Sequence, residues 1–449
     1  MKRSIAKCPA VAILLSLLFL SWTVPASAKP EEGTMKDWEL WIRKYARSLK
    51  EPASDQTRDL KFLRPLLKDK RIVQLGESTH GSKEMNQMKV RLIQYLHEEL
   101  DYDVIAFESG FAETSAAYSR MGDLTPEQLM KNAIYGVWHT DEVLELFRYI
   151  QEQQEKGDPL ILTGFDISRI GNAFTTSAYE WLEEIDPSEA ERLKGAENEF
   201  SAITSSQTLE EMISRKEKLA EKYQELEKFV DSHRSELASA GLKRKQDVDI
   251  LVRALSLRRQ VVDAYVLQEW RAMHRQPFEQ LEDHPLFLRD RLMAGQLEWV
   301  AEQLYPHEKI IVWGHNYHLR KNNTKADKDF TTITPTGPNM GDYLPERIKQ
   351  QTYTIGMFAL SGESLGSDNQ TIFPVNVKHD PASLESLLKH KGDSYVFVDM
   401  LRAARNKGTS WMDTPRTSLY WGVMEEQMTL REQYDGILWI EKITASAII

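Results

Sequence analysis

The sequence predicts an α/β protein: a mostly parallel central sheet flanked by helices and interrupted by a long helical insertion. Short apolar runs without an alternating polar face recur along the chain, as expected of strands buried on both sides. The stretches between them carry apolar residues at helical spacing, the pattern of crossover helices. From about Phe174 to Tyr305 the strand-like runs stop and long amphipathic segments replace them.

The elements follow in order. Ile72-Val73-Gln74-Leu75 and Val104-Ile105-Ala106-Phe107 read as the first two strands. Between them Met85, Met88, Leu92, Leu96 and Leu100 recur every three or four residues, so Met85 to Leu100 is expected to be helical. Thr140 to Glu155 reads likewise, with Val143, Leu146, Phe147 and Ile150 on one face. Leu160 to Thr163 and Lys309 to Trp313 are the next strands. In the insertion, Met212, Leu219, Tyr223, Leu226 and Val230 form one stripe. Val248, Leu251, Val252 and Leu255 form another beyond a break at Gly241, which predicts a hairpin of long helices. Strand-like runs return at Tyr353–Leu360, Tyr395–Val398 and Ile437–Ile440. The expected division is a core of residues 29–175 and 300–449, with the insertion at 176–299.

The first 28 residues read as a secretory signal. Lys2, Arg3 and Lys7 precede an apolar run from Ala10 to Leu20, and Ala26-Ser27-Ala28 offers a small-x-small cleavage site. The apolar run is too short for a membrane span, which needs about 20 residues. Cleavage would remove the single cysteine, Cys8, and move the net charge from -11 to -14. The expected product is a secreted or cell-envelope protein starting at Lys29, without disulfides or thiol chemistry. Its acidity argues against nucleic acid as a partner. No later segment is apolar enough to span a membrane, and nothing in the sequence sets an oligomeric state.

Polar residues gather where the apolar runs end. The first run leads into Gly76-Glu77-Ser78-Thr79-His80-Gly81 and the second into Glu108-Ser109-Gly110. The third ends in Gly164-Phe165-Asp166 and the fourth in Gly314-His315-Asn316-Tyr317-His318. Parallel strands would bring all four tails to one carboxyl edge, where α/β folds hold ligands. Each residue also has a plainer structural reading. Glu77 or Ser78 could cap the next helix, and Asp166 could bind loop backbone. His80 could be a hydrogen-bonding structural histidine, and Lys89 could face solvent. His315 and His318 could be one working residue and one orienting neighbour. Glu108 is harder to explain structurally, because an unpaired carboxylate at the end of a buried strand is costly.

The run Gly76 to Gly81, with Glu84, Leu92, Tyr95, Leu96 and Ala106-Phe107-Glu108, resembles the opening motif of the erythromycin esterase family. Trp138 with Glu142, Arg289-Asp290 with Met293, Trp313-Gly314-His315-Asn316 and Met340-Gly341 resemble its later landmarks, in order, over about residues 40–440. The resemblance implies a metal-independent hydrolase without cofactor that opens a macrolide lactone with activated water, an activity that confers macrolide resistance. It implies that the histidine base is His80, the motif glutamate Glu77, the second-strand glutamate Glu108 and the later histidine His315. The family's arginine on the first crossover helix aligns with Lys89, which keeps the charge and loses the planar fork.

On chemical grounds His80 is the expected general base, with Glu77 or Glu108 holding it. His315, Lys89 or backbone N–H groups would stabilise the oxyanion. Lys89, His318 and Asp166 are the expected substrate-binding residues, and the partner is a small-molecule ester or lactone. Three alternatives stand beside this reading. Gly362-Glu363-Ser364-Leu365-Gly366 matches a serine-hydrolase elbow, although the extended, Pro-containing Ile372-Phe373-Pro374-Val375 follows it where a helix is required. The His and acidic residues could ligate a divalent ion, although no ligand spacing marks a site. The cleft could bind an envelope ligand without catalysis.

Overall fold

The four apolar runs before residue 314 become neighbouring strands of one sheet. The computed structural model describes residues 32–239, 245–328, 336–375 and 379–449. The expected signal segment and the Gly241 break lie outside them. The chain forms β1 (Arg47–Ser48), β2 (Ile72–Leu75), β3 (Val104–Gly110), β4 (Ile161–Asp166), β5 (Ile310–Trp313) and β6 (Asp327–Lys328). There follow β7 (Thr352–Leu365), β8 (Ile372–Pro374), β9 (Tyr395–Asp399), β10 (Arg416–Tyr420), β11 (Met424–Met428) and β12 (Gly436–Ile443).

The main sheet has the order β1-β9-β12-β7-β2-β5-β3-β4, with β8 paired to the end of β7. From β12 to β4 all neighbours are parallel. At the other edge β9 is antiparallel to β12, and β1 to β9. Every residue of β2, β3 and β5 is buried, which is why these runs lack polar alternation. Helix Lys83–Leu100 connects β2 to β3 and helix Asp141–Lys156 precedes β4. The latter is capped by Thr140, whose hydroxyl accepts the Val143 N–H, and it ends at Gly157 with φ 80°.

Alternation within the buried strands separates two cores. Val73, Leu75, Ile105, Phe107, Ile311 and Trp313 point to the face covered by those two helices. Ile72, Val104, Ala106, Ile310 and Val312 point to the other face, where the helical segments between Ala173 and Trp299 pack. The result is three layers around a mostly parallel sheet. Helix Leu209–Ser232 buries Met212, Leu219, Tyr223, Leu226 and Val230. It packs against helix Lys245–Ala264, which buries Val248, Leu251 and Leu255. Each such side chain contributes about 1.5–3 kcal/mol through burial. A small antiparallel sheet, β10-β11-β6, lies apart from the main one.

Ser364 lies within β7 rather than at a strand-to-helix corner, because β7 runs on to Leu365 and returns through β8. Its hydroxyl is buried 2.6 Å from Thr79 Oγ1. The strand–turn–helix context of a serine nucleophile is absent here.

Arg258, on helix Lys245–Ala264, ties the helical layer to the sheet. It donates to Glu197 at 3.2 Å and to Glu113, which lies on the helix that directly follows β3. All three side chains are buried. Arg258→Ala leaves buried Glu113 without its charge partner, while Glu197 keeps Tyr223 and Arg169, so unfolding free energy is expected to fall by about 3–5 kcal/mol. A urea midpoint shifted by less than 1 kcal/mol equivalent would show that this ion cluster is no anchor.

Candidate active site

The carboxyl ends of β2, β5, β3 and β4 are consecutive in the sheet, so their tails form one continuous edge. Leu75 is in register with Trp313, and Phe107 with Trp313 from the other side. Glu77, His315 and Glu108 therefore leave adjacent strands at the same level. Gly76 is required by close approach: a Cβ there would lie 2.1 Å from Asn316 Oδ1. Asn316 donates its backbone N–H to the Glu77 carbonyl at 2.8 Å and its side-chain N–H to the Met357 carbonyl at 2.8 Å, fixing the tail of β5 across β2 to β7.

Glu77 is fully buried and completely occupied. Oε2 accepts from Lys89 Nζ at 2.7 Å, and Oε1 accepts from Trp138 Nε1 at 3.0 Å and His80 Nδ1 at 2.6 Å. Burial alone would raise its pKa, but Lys89 and the His80 hydrogen bond hold it below the ordinary carboxylate range. Burial lowers the Lys89 pKa, against the pull of Glu77. Lys89 has no exposed surface. It makes a second bond to the Gly314 carbonyl at 3.3 Å and lies 4.4 Å above the Trp313 ring. It is thus beneath the site rather than on its wall. With Nδ1–H given to an ionised Glu77, His80 presents Nε2 as an acceptor. Its ring keeps 13% exposure, at a cavity of about 440 Å³ also lined by Glu108, Arg289, His315 and His318.

A second polar group faces His80. Glu108 Oε2 accepts the His315 N–H at 2.8 Å, and Oε1 accepts from Arg289 Nη2 at 3.1 Å and lies 3.3 Å from His318 Nε2. Burial opposes its ionisation, but His318 and Arg289 bring its pKa down to about 2. Asp166 accepts from Arg289 Nε at 3.1 Å and from Tyr135 Oη at 3.0 Å. Burial opposes its charge too, and Arg289 lowers its pKa. His318 Nδ1 lies 2.5 Å from buried Asp290. Burial would lower the His318 pKa, yet Asp290 and Glu108 raise it above the ordinary imidazole value.

His315 differs from both other histidines. Its Nε2 lies 3.2 Å from the Ser78 carbonyl, and its Nδ1 accepts the Tyr317 N–H at 3.1 Å as the N-cap of helix Asn316–Leu319. Burial and then the neighbouring His80 push its pKa well below the usual value. It is a neutral ring with both nitrogens engaged.

The structure thus brings His80, Glu108, His315 and His318 around one cavity, with Glu77 buried behind His80, Asp166 behind Arg289 and Lys89 beneath Glu77. Among the described residues no three His, Cys, Asp or Glu side chains stand in metal-holding geometry; those of the cluster are instead paired with protein groups. A neighbouring cavity of about 470 Å³, beside Ile167 and Ser168, holds none of these side chains. Arg289 and Asp290, from helix Pro285–Trp299, and Trp138 entered above only as family landmarks and here join the site; Trp421, from the turn between β10 and β11, completes it without any signal in the sequence. Arg289 and Asp290 lie in the same turns as buried Met293 and Leu297, a charged pair inside an apolar stripe.

A family model for erythromycin esterase matches residues 97–443. The chain is 52% identical over 451 residues to a Bacillus subtilis (strain 168) protein named "Putative hydrolase YbfO", covering 100% of both. It is 21% identical over 440 residues to erythromycin esterase type II of Escherichia coli, covering 92% of this chain and 99% of that one. Among solved structures, a Bacillus cereus protein matches with a TM-score of 0.74 at 22% identity, covering 93% of this chain and 99% of its own. A mutant of the erythromycin esterase EreC in its open conformation matches with a TM-score of 0.60 at 19% identity, covering 89% and 98%. These two structural matches establish the shared α/β fold. The chain belongs to the erythromycin esterase family, a family of hydrolases.

Proposed function

We propose that this protein hydrolyses a carboxylic ester of a small molecule, a macrolide lactone being the substrate its family membership favours. One observation carries the reading: a histidine whose Nδ1 is held by a buried carboxylate while its partly exposed ring lines a cavity. His80 is the general base. Glu77 fixes its tautomer and supports the imidazolium, and Lys89 with Trp138 fixes Glu77. Water placed between His80 and the substrate carbonyl gives its proton to Nε2 as its oxygen attacks the carbonyl carbon. The oxyanion of the tetrahedral intermediate faces the cationic Arg289–His318 edge. Collapse breaks the ester C–O bond, and the imidazolium returns the proton to the leaving alkoxide. A lactone gives one ring-opened hydroxy acid, heavier by one water.

His315 and Lys89 act through position in this scheme, since their polar atoms are already bonded within the protein. Glu108 and Asp166 set the charge and place of Arg289 and His318. Removal of a general base typically costs 10²–10⁴-fold. His80→Gln, with the fold retained, is therefore expected to lose hydrolysis by about that factor. Mass spectrometry of a macrolide panel, run with both proteins, provides the check. A mutant turning over at the wild-type rate would remove His80 from the mechanism; a silent wild-type enzyme would remove the macrolides.

His318 sets an alkaline limb. A raised pKa extends the charged form of the ring to higher pH than an ordinary imidazole keeps it, and the charge is lost as pH rises through that value. Turnover that needs the cation is present below this pKa and declines above it. His318→Asn is expected to lower kcat and to abolish this alkaline decline. An unchanged limb in the variant would assign it to another group.

We further propose that the chain is exported and that the mature enzyme begins at Lys29, on the strength of the basic, apolar and small-residue pattern of its first 28 residues. Intact mass of the protein recovered from the culture medium or envelope of a bacterial host should correspond to that start. A retained Met1 in the exported fraction would refute cleavage.

A further inference from the structure

The turn between β10 and β11 runs through Trp421 and Gly422, with φ of 54° and 70°. The loop is three residues long, Trp421 to Val423, and the Val423 N–H closes it on the Tyr420 carbonyl at 3.2 Å; a turn with two successive positive φ values favours Asn-Gly, and a bulky side chain in the first place is disfavoured. Such strain survives only where the surroundings hold it, and it gathers at functional sites.

Here the surroundings do hold it. The Leu419 N–H, two residues before the turn, donates to buried Glu385 at 2.9 Å. Glu426 on β11 accepts from Arg320 at 2.7 Å, and Arg320 directly follows helix Asn316–Leu319. The hairpin is therefore bolted to the segment that carries His315 and His318. Its tip lays the Trp421 indole over His315, with centroids 4.3 Å apart and planes inclined by 23°. The same indole meets the His80 ring at 5.0 Å and 84°. Trp138 meets His80 at 5.0 Å and 80°, and His315 meets it at 5.2 Å and 63°. Glu77 fixes only one atom of the His80 ring. Rotation about that hydrogen bond is limited by these three rings, and Trp421 is the one supplied from a different sheet.

We propose that Trp421 is a positioning residue for His80: its indole, held over His315 by a strained turn, keeps the base aimed into the cavity. This rests on the hydrolase reading above, so one arm of the test does not depend on turnover. Diethyl pyrocarbonate acylates accessible imidazole nitrogens, and peptide mapping can compare His80 with the exposed His307. Trp421→Ala is expected to change the His80-to-His307 ratio at least threefold, with Trp421→Phe returning it towards the wild-type value. In turnover, Trp421→Ala should lower kcat at least tenfold with KM within threefold, and Trp421→Phe should recover most of the loss. Far-UV circular dichroism and urea midpoints confirm that both variants fold. An unchanged His80 ratio in the folded Ala variant overturns the proposal, whatever the turnover. A changed ratio, restored by Phe, in a protein that hydrolyses nothing upholds the positioning role and removes the hydrolase reading instead.

Discussion

The ion pair between Glu77 and Lys89 is the constraint on which the rest of the site depends. Neither side chain has any exposed surface, and either one alone would be a buried charge of high cost. Together they are affordable because each has further partners: Trp138 and His80 on the carboxylate, the Gly314 carbonyl and the Trp313 ring on the ammonium. This arrangement locks the tail of β2 to the tail of β5 and to the first crossover helix. It also leaves Glu77 ionised beneath His80, so that the ring has one sensible tautomer. A lysine performs this task well, since a point charge with rotatable donors suffices where the partner is a single carboxylate oxygen and a carbonyl.

Opposite this pair the same sheet edge carries charge of a different character. Arg289 is shared between Asp166 and Glu108, and His318 between Asp290 and the same Glu108. The three histidines consequently differ although all lie around one cavity. His315 is kept neutral by burial, His318 is driven towards its cation by acids, and His80 is tied to one carboxylate with its ring at the cavity wall. Separation of roles by environment is how one cavity can hold both a base and a positively charged wall.

Much of this was legible in the chain. The buried runs, the first crossover helices and the sharing of one edge by four polar tails follow from hydrophobic pattern and the rule for parallel strands. The order of the strands was not, because no local feature says that β5 slots between β2 and β3. Lys89 illustrates a signal present but ambiguous: it lies four residues after Met85 and three before Leu92, squarely on the apolar stripe, where a lysine must have a partner. Only the fold supplies Glu77 as that partner. Arg289 and Asp290 carry the same mark on a later helix. Trp421 carries none, since its place depends on pairing between β10 and β11 and on a turn whose first positive-φ residue contradicts the usual preference.

The interleaving of β5 has a consequence for how the molecule is made. β2 and β3 are close in the chain yet never touch in the sheet; the strand between them comes 200 residues or more after either. Nothing synthesised before Ile310 can close the centre of the sheet, and β7 and β12, which extend it on the other side, come later still. Early-made strands must wait with their edges open, a high-contact-order route that is slow and prone to mispairing. A nascent chain of this topology has no completed core to resist being kept unfolded, and it reaches its native state only after nearly all of it is available at once.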